Sequence, residues 1–129
     1  MPISYEINVG REIIMITGSG RIEDAELLGV MEKYSHNVEY QSHFRVFGDY
    51  SAVTDDQLSA EGIKLMAMRH PHNTGHRVIL VHGLMEFGFG RMYQTYCECY
   101  HDSPPLLCYD RAEAIAFLNQ DLPPDKWIA

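Results

Sequence analysis

Positive charge is scarce in this sequence. Its 10 Lys and Arg residues stand against 18 Asp and Glu, a formal net charge of -8 at pH 7. Nucleic acid and anionic membrane surfaces are bound through Lys/Arg patches, so neither is an expected partner. A basic protein partner remains open, and the charge aids solubility. Cysteine is scarce too. Cys97, Cys99 and Cys108 are odd in number, and two of them are one residue apart. No disulfide framework follows, and reduced thiols in a cytoplasmic protein are the simplest account. No apolar run approaches the roughly 20 residues that span a bilayer. The start, Met1-Pro2-Ile3-Ser4-Tyr5-Glu6, has neither the basic nor the apolar segment of a secretory signal. No P-loop, nucleophile elbow or Gly-x-Gly-x-x-Gly follows a strand, since Gly88-Phe89-Gly90 falls inside a helical stretch. The residues therefore suggest no cofactor and no supported catalytic group. Repeats and low-complexity segments are absent as well.

What is present is an ordinary globular composition, 46% hydrophobic and 22% charged over 129 residues, enough for one domain with its own core. Residues 3–120 carry the periodic segments and 121–129 reads as a tail. Ile3 to Val9 alternates apolar and polar, and Glu12 to Gly18 is a second, more apolar run. The two read as an antiparallel hairpin, broken by Ser19-Gly20. Ile22 to Tyr34 has helical spacing, with Ala25, Leu28, Met31 and Tyr34 on one stripe. Phe44 to Phe47 is a third strand, followed by an acidic, hydroxyl-rich loop. Ser59 caps a helix whose inner face is Ile63, Met66, Ala67 and His70, and Pro71 ends it. Arg77 to Val81 is the clearest buried strand. Met85 to about Tyr100 is a helix with Phe89, Met92, Tyr93, Tyr96 and Tyr100 on a broad stripe. Leu106 to Tyr109 is a short strand, and Asp110 caps a last helix to about Gln120. The order β-β-α-β-α-β-α-β-α predicts an α/β fold: a mixed, mostly parallel five-stranded sheet with about four helices and right-handed crossovers.

The third strand leads into Asp49-Tyr50-Ser51-Ala52-Val53 and then Ser59-Ala60-Glu61-Gly62. This pattern resembles the STAS/SpoIIAA-like group, whose motif is similar to Asp-Leu-Ser-Gly-Val followed by Asp-Ser-Ser-Gly. The group includes bacterial anti-sigma factor antagonists. Nearer still are small, largely uncharacterised bacterial SpoIIAA-like proteins, whose fold is similar to that of lipid-binding carrier domains. The resemblance implies a bacterial regulatory or protein-interaction module. Its contact loop would hold Asp49, Ser51, Asp55, Asp56, Ser59 and Gly62. The group's phosphorylated hydroxyl lies in the pair before the glycine. Here that pair is Ala60-Glu61, so Ser59 is the candidate phosphoacceptor, against its plain role as a helix cap.

The remaining candidates are weaker by chemistry. Asp49, Asp55 and Asp56 could offer oxygen ligands, but without an EF-hand pattern they read as turn formers rather than a metal site. His70, His72 and His76 fit no zinc spacing and read as an exposed loop. Cys97 and Cys99 point to different faces of a helix, so with His101 they form no chelate; one thiol is expected in the core and the other outside. His82 follows the best strand, where α/β sheets bind ligands. Met85, Phe89 and Tyr93 are candidate walls of an apolar pocket for a small apolar ligand or lipid. The alternative use of the same apolar surplus, with Phe87 and Trp127, is core packing plus a homodimer interface.

Overall fold

A computed structural model describes residues 2–100 and 103–129. It begins with the strands β1 (Ile3–Asn8) and β2 (Ile13–Glu23), then helix α1 (Asp24–Ser35). Next come β3 (Arg45–Gln57), α2 (Ala60–Arg69), β4 (Arg77–Leu80) and α3 (Leu84–Cys99). The strand β5 (Leu106–Cys108), helix α4 (Arg111–Asn119) and a 3-10 turn (Pro124–Lys126) complete it. The five strands lie in chain order, β1-β2-β3-β4-β5, with β1 antiparallel to β2 and the rest parallel. Each crossover therefore steps one strand in the same direction. Right-handed crossovers of that kind put α1, α2 and α3 on one face. Among the described residues, no helix is long and apolar enough to cross a membrane.

Period-two alternation sorts the strand residues into two cores. On the three-helix face, Ile14, Ile16, Ile22, Val46 and Val53 pack with Val30, Met31 and Tyr34 of α1. On the other face, Ile13, Phe47, Val78, Leu80 and Cys108 pack with Ala114 and Leu118 of α4. Ile13 and Ile14, adjacent and both fully buried, serve one core each. That is why the second strand reads as nearly continuous apolar sequence.

The third strand is much longer than Phe44 to Phe47. It runs 13 residues, and the acidic loop expected after it is strand. Ser19-Gly20 does not break β2 either. The ladder shifts register between Thr17 and Ser19 and again between Gly20 and Arg21. Gly20 takes φ +64, a left-handed conformation that suits a bulge. Beyond the bulge β2 and β3 stay paired to Glu23 and Gln57, while β4 pairs β3 only to Asp49. The result is a two-stranded arm past the carboxyl end of the sheet. Helix α1 starts at Asp24, where the Glu26 carboxylate accepts from the Glu23 N–H at 3.0 Å.

The tail is fastened down. Arg45 lies at the start of β3, only 3% exposed. Its guanidinium donates to the carbonyls of Leu118 at 2.7 Å, Arg11 at 2.6 Å and Lys126 at 2.5 Å. Ile128 packs on the α4 core and its N–H donates to Asn119 Oδ1 at 2.9 Å. Trp127 stays half-exposed, with its indole N–H on the Leu122 carbonyl.

Candidate functional site

Between the sheet and its three helices lies a cavity of about 130 Å³. Its walls are mostly apolar. Ile16, Val46 and Ile79 rise from the sheet, Leu27 and Met31 come from α1, and Ile63 and Met66 from α2. Helix α3 contributes Glu86, Phe89, Gly90 and Tyr93, spaced as one helical face. Two glycines shape the floor. A Cβ at Gly18 of β2 or Gly48 of β3 would come within 2.8 Å of the Tyr50 ring. Without those atoms the ring can lie across both strands. Gly90 does the same for layer spacing: its missing Cβ leaves room for the Leu107 methyl, which would otherwise sit at 2.5 Å.

One polar group interrupts the walls. The Tyr34 hydroxyl and an Arg77 N–H meet His70 Nε2 at 3.2 and 3.3 Å. Arg77 Nη1 also donates to the Tyr93 hydroxyl at 3.4 Å, and Nη2 to the Ser103 carbonyl. Arginine can only donate, so His70 Nε2 is an acceptor and the ring proton sits on Nδ1. Burial holds the Tyr34 and Tyr93 phenols well above their usual range and pushes Tyr50 up to about 12. All three remain protonated near neutral pH.

A second polar feature lies beside Glu86. Asp56, on the arm of β3, has both carboxylate oxygens buried with no well-formed hydrogen bond. Its pKa is raised to about 6, first by burial and then by Glu86, close enough to share a proton; the Leu58 N–H pulls the other way. Two carboxyl groups at that range cannot both ionise cheaply.

The other residues singled out in the sequence do not converge. Asp49 points to the α4 side. It accepts from Arg111 at 2.8 Å and from the Ser51 N–H and hydroxyl at 3.0 and 2.6 Å. Burial pulls its pKa up, but the Ser51 hydrogen bonds and Arg111 outweigh it, and the carboxyl sits below its ordinary value. Ser51 and Asp55 are exposed on the arm, Asp55 pairing with Arg21 at 3.9 Å. Among the described residues, no group of three or more His, Cys, Asp or Glu is placed to hold a metal. His70, expected in an exposed loop, instead joins the cavity wall, because Pro71 ends α2 just after it has turned inward. His72 is exposed, and the His76 ring lies 4.7 Å from that of Phe117. Cys97 is buried and Cys99 exposed, while His101 lies outside the described residues. His82 is exposed. Phe89 and Tyr93 line the cavity, but Met85, 63% exposed, points away from it.

Ser59 is the N-cap of α2. Its hydroxyl accepts from the Gly62 N–H at 3.0 Å and donates to Asp24 Oδ2 at 2.6 Å, and its own N–H donates to Asp24 Oδ1. Gly62 is packed beneath that carboxylate, where a Cβ would lie 2.1 Å from Asp24 Cγ. A phosphoryl group on Ser59 would have to displace Asp24. Ser59→Ala is expected to cost about 1 kcal/mol in urea unfolding, the typical cap contribution.

No family model matches the sequence, and no curated protein matches it. Among solved structures, an uncharacterised protein of the DUF3478 family from Shewanella loihica PV-4, described as having a SpoIIAA-like fold, superimposes with a TM-score of 0.57. The match covers 90% of this chain and 93% of that one at 13% identity. The chain has a SpoIIAA-like fold. At that identity the likeness speaks for architecture alone. The SpoIIAA-like sheet order and the helix layer that encloses the cavity belong to the fold, whereas the side chains that line it are this chain's own.

Proposed function

We propose that this SpoIIAA-like domain binds a small, mostly apolar molecule between its sheet and its three-helix layer. The observation that carries this reading is the apolar cavity, interrupted by the Tyr34-His70-Arg77-Tyr93 group and by Glu86. Ligand sites combine apolar walls with a few fixed polar groups in this way. A cavity of similar volume in another protein takes up benzene, so a ring-sized ligand is the appropriate scale.

Native mass spectrometry of the purified protein, beside its denatured mass, tests for a retained ligand. Fluorobenzene, followed by 19F NMR, tests the empty cavity. Wild type should give a bound resonance, and Ile79→Phe, which places a ring into the space, should abolish it while the fold is retained. Fluorobenzene binding that Ile79→Phe leaves unchanged would overturn the reading. A second reading is a regulatory protein contact through Asp49 to Gly62. The exposure of Ser51, Asp55 and Ser59 along the arm and the start of α2 favours it. A bare homodimer or a co-purifying protein, with no ligand mass, would move the assignment there.

A further inference from the structure

We infer that Asp56 and Glu86 form a proton-dependent clasp that holds the first turn of α3 over the cavity and releases it when both are ionised. The inference builds on the cavity reading above, since the clasp would govern entry to that space.

The geometry starts with what fastens the first turn. Its N-cap, Gly83, has no side chain to cap with. Leu84 and Met85 are 87% and 63% exposed and contribute little packing. The inward contacts are the Phe87 ring, stacked on Tyr109 at 5.0 Å, and Glu86, which lines the cavity. Asp56 reaches Glu86 from the far side, on the part of β3 that extends beyond β4. Helix and arm are otherwise separate in the chain, so this carboxyl contact joins them.

The charges around the contact are all one sign. Asp55 adjoins Asp56 on its own strand, and its partner Arg21, on β2, is committed to Asp55 and Glu23. Asp24 of α1 is committed to Ser59. Among the described residues, no cation forms an ion pair with Asp56 or Glu86. The proton is therefore what makes the contact attractive. With one proton, a carboxylic acid donates to a carboxylate; with none, two carboxylates repel in a partly dry site. A carboxyl whose folded pKa lies above its unfolded value stabilises the closed form below that value. The contribution is lost as pH rises through about 6.

Amide hydrogen exchange at Phe87 to Gly90, corrected for intrinsic rates, reads the clasp directly. Protection at pH 8 should be about tenfold lower than at pH 5 in wild type, the change that one unit of pKa difference carries. Asp56→Asn and Glu86→Gln, which keep the shape and remove one charge, should each hold protection near the pH 5 level throughout. Wild-type protection that is flat with pH, or a pH response that survives in Asp56→Asn, would overturn the clasp. Fluorobenzene exchange measured at the same two pH values separates the readings. Release that quickens at pH 8 supports both. A pH-responsive α3 in a protein that takes up no fluorobenzene supports the clasp and removes the cavity reading instead.

Discussion

Arg45→Ala should lower stability by about 3 kcal/mol or more, on the order of 10 °C in melting temperature for a domain of this size. The arginine brings together three segments that have no other reason to meet: the turn after β1, the end of α4 and the tail. Each carbonyl it serves would lose a charge-assisted donor. Leaving a buried acceptor unmet costs about 1–3 kcal/mol, and water entering the vacated space would recover part of that for three of them. Chemical denaturation at neutral pH gives the number, and limited proteolysis gives the location. The variant should be cut after residue 120 before any other site opens. Loss of stability with the tail still protected would show that the 121–129 segment is held by Ile128 packing alone.

Gly75→Ala should be the second large effect, roughly 3 kcal/mol. A Cβ at Gly75 would lie 2.5 Å from the Phe44 carbonyl oxygen and 2.6 Å from that of His43. Those are backbone atoms at the start of β3, so no side chain can swing aside. The surrounding loop is pinned as well: Asn73, buried, donates to the Phe44 carbonyl at 2.8 Å, and the Thr74 N–H to Ser42 at 2.8 Å. Relief must come from moving the loop, which carries His70 at one end and Arg77 at the other. The variant should therefore lose stability and also perturb the Tyr34-His70-Arg77 contacts, seen as a shift in the His70 ring resonances. A stability loss with those resonances unmoved would mean that the loop flexes without reaching the cavity.

The fold was legible where a local rule and the tertiary structure agree. Ser59 and Asp110 are caps by residue type and caps in fact, each accepting from a first-turn N–H at 3.0 Å. Arg77 to Val81 reads as buried strand because its residues alternate between two packed faces. The arm was hidden because Ser19-Gly20 looks like a breaker, and a bulge uses the same residues. Arg45 gave no sign, since one arginine between Phe44 and Val46 looks like an outward strand residue until α4 and the tail fold over it. The cavity was half visible. Glu86, Phe89 and Tyr93 share a helical face, and reading from Glu86 rather than Met85 would have set the register. Tyr34 and Tyr50 are far apart in sequence and each looks like ordinary core. The Asp56–Glu86 contact spans two elements, and nothing local in the chain announces it.

The sequential order of the sheet also says how the molecule comes together. Every strand pairs with the strand made just before it, so each new contact closes a loop about one helix long. Such topologies assemble early and in order, because little loop entropy stands between neighbours. On a ribosome the β1–β2 hairpin can form first, and each following helix and strand can be laid against an edge that already exists. Arg45 is the exception. It emerges with β3, but its partners at Leu118 and Lys126 come last. Until they arrive, a charged guanidinium waits at the end of a nearly finished sheet. The closing step of folding is thus the capture of that charge by the carboxyl terminus, and a chain shortened before residue 118 would assemble most of its sheet without being able to complete it.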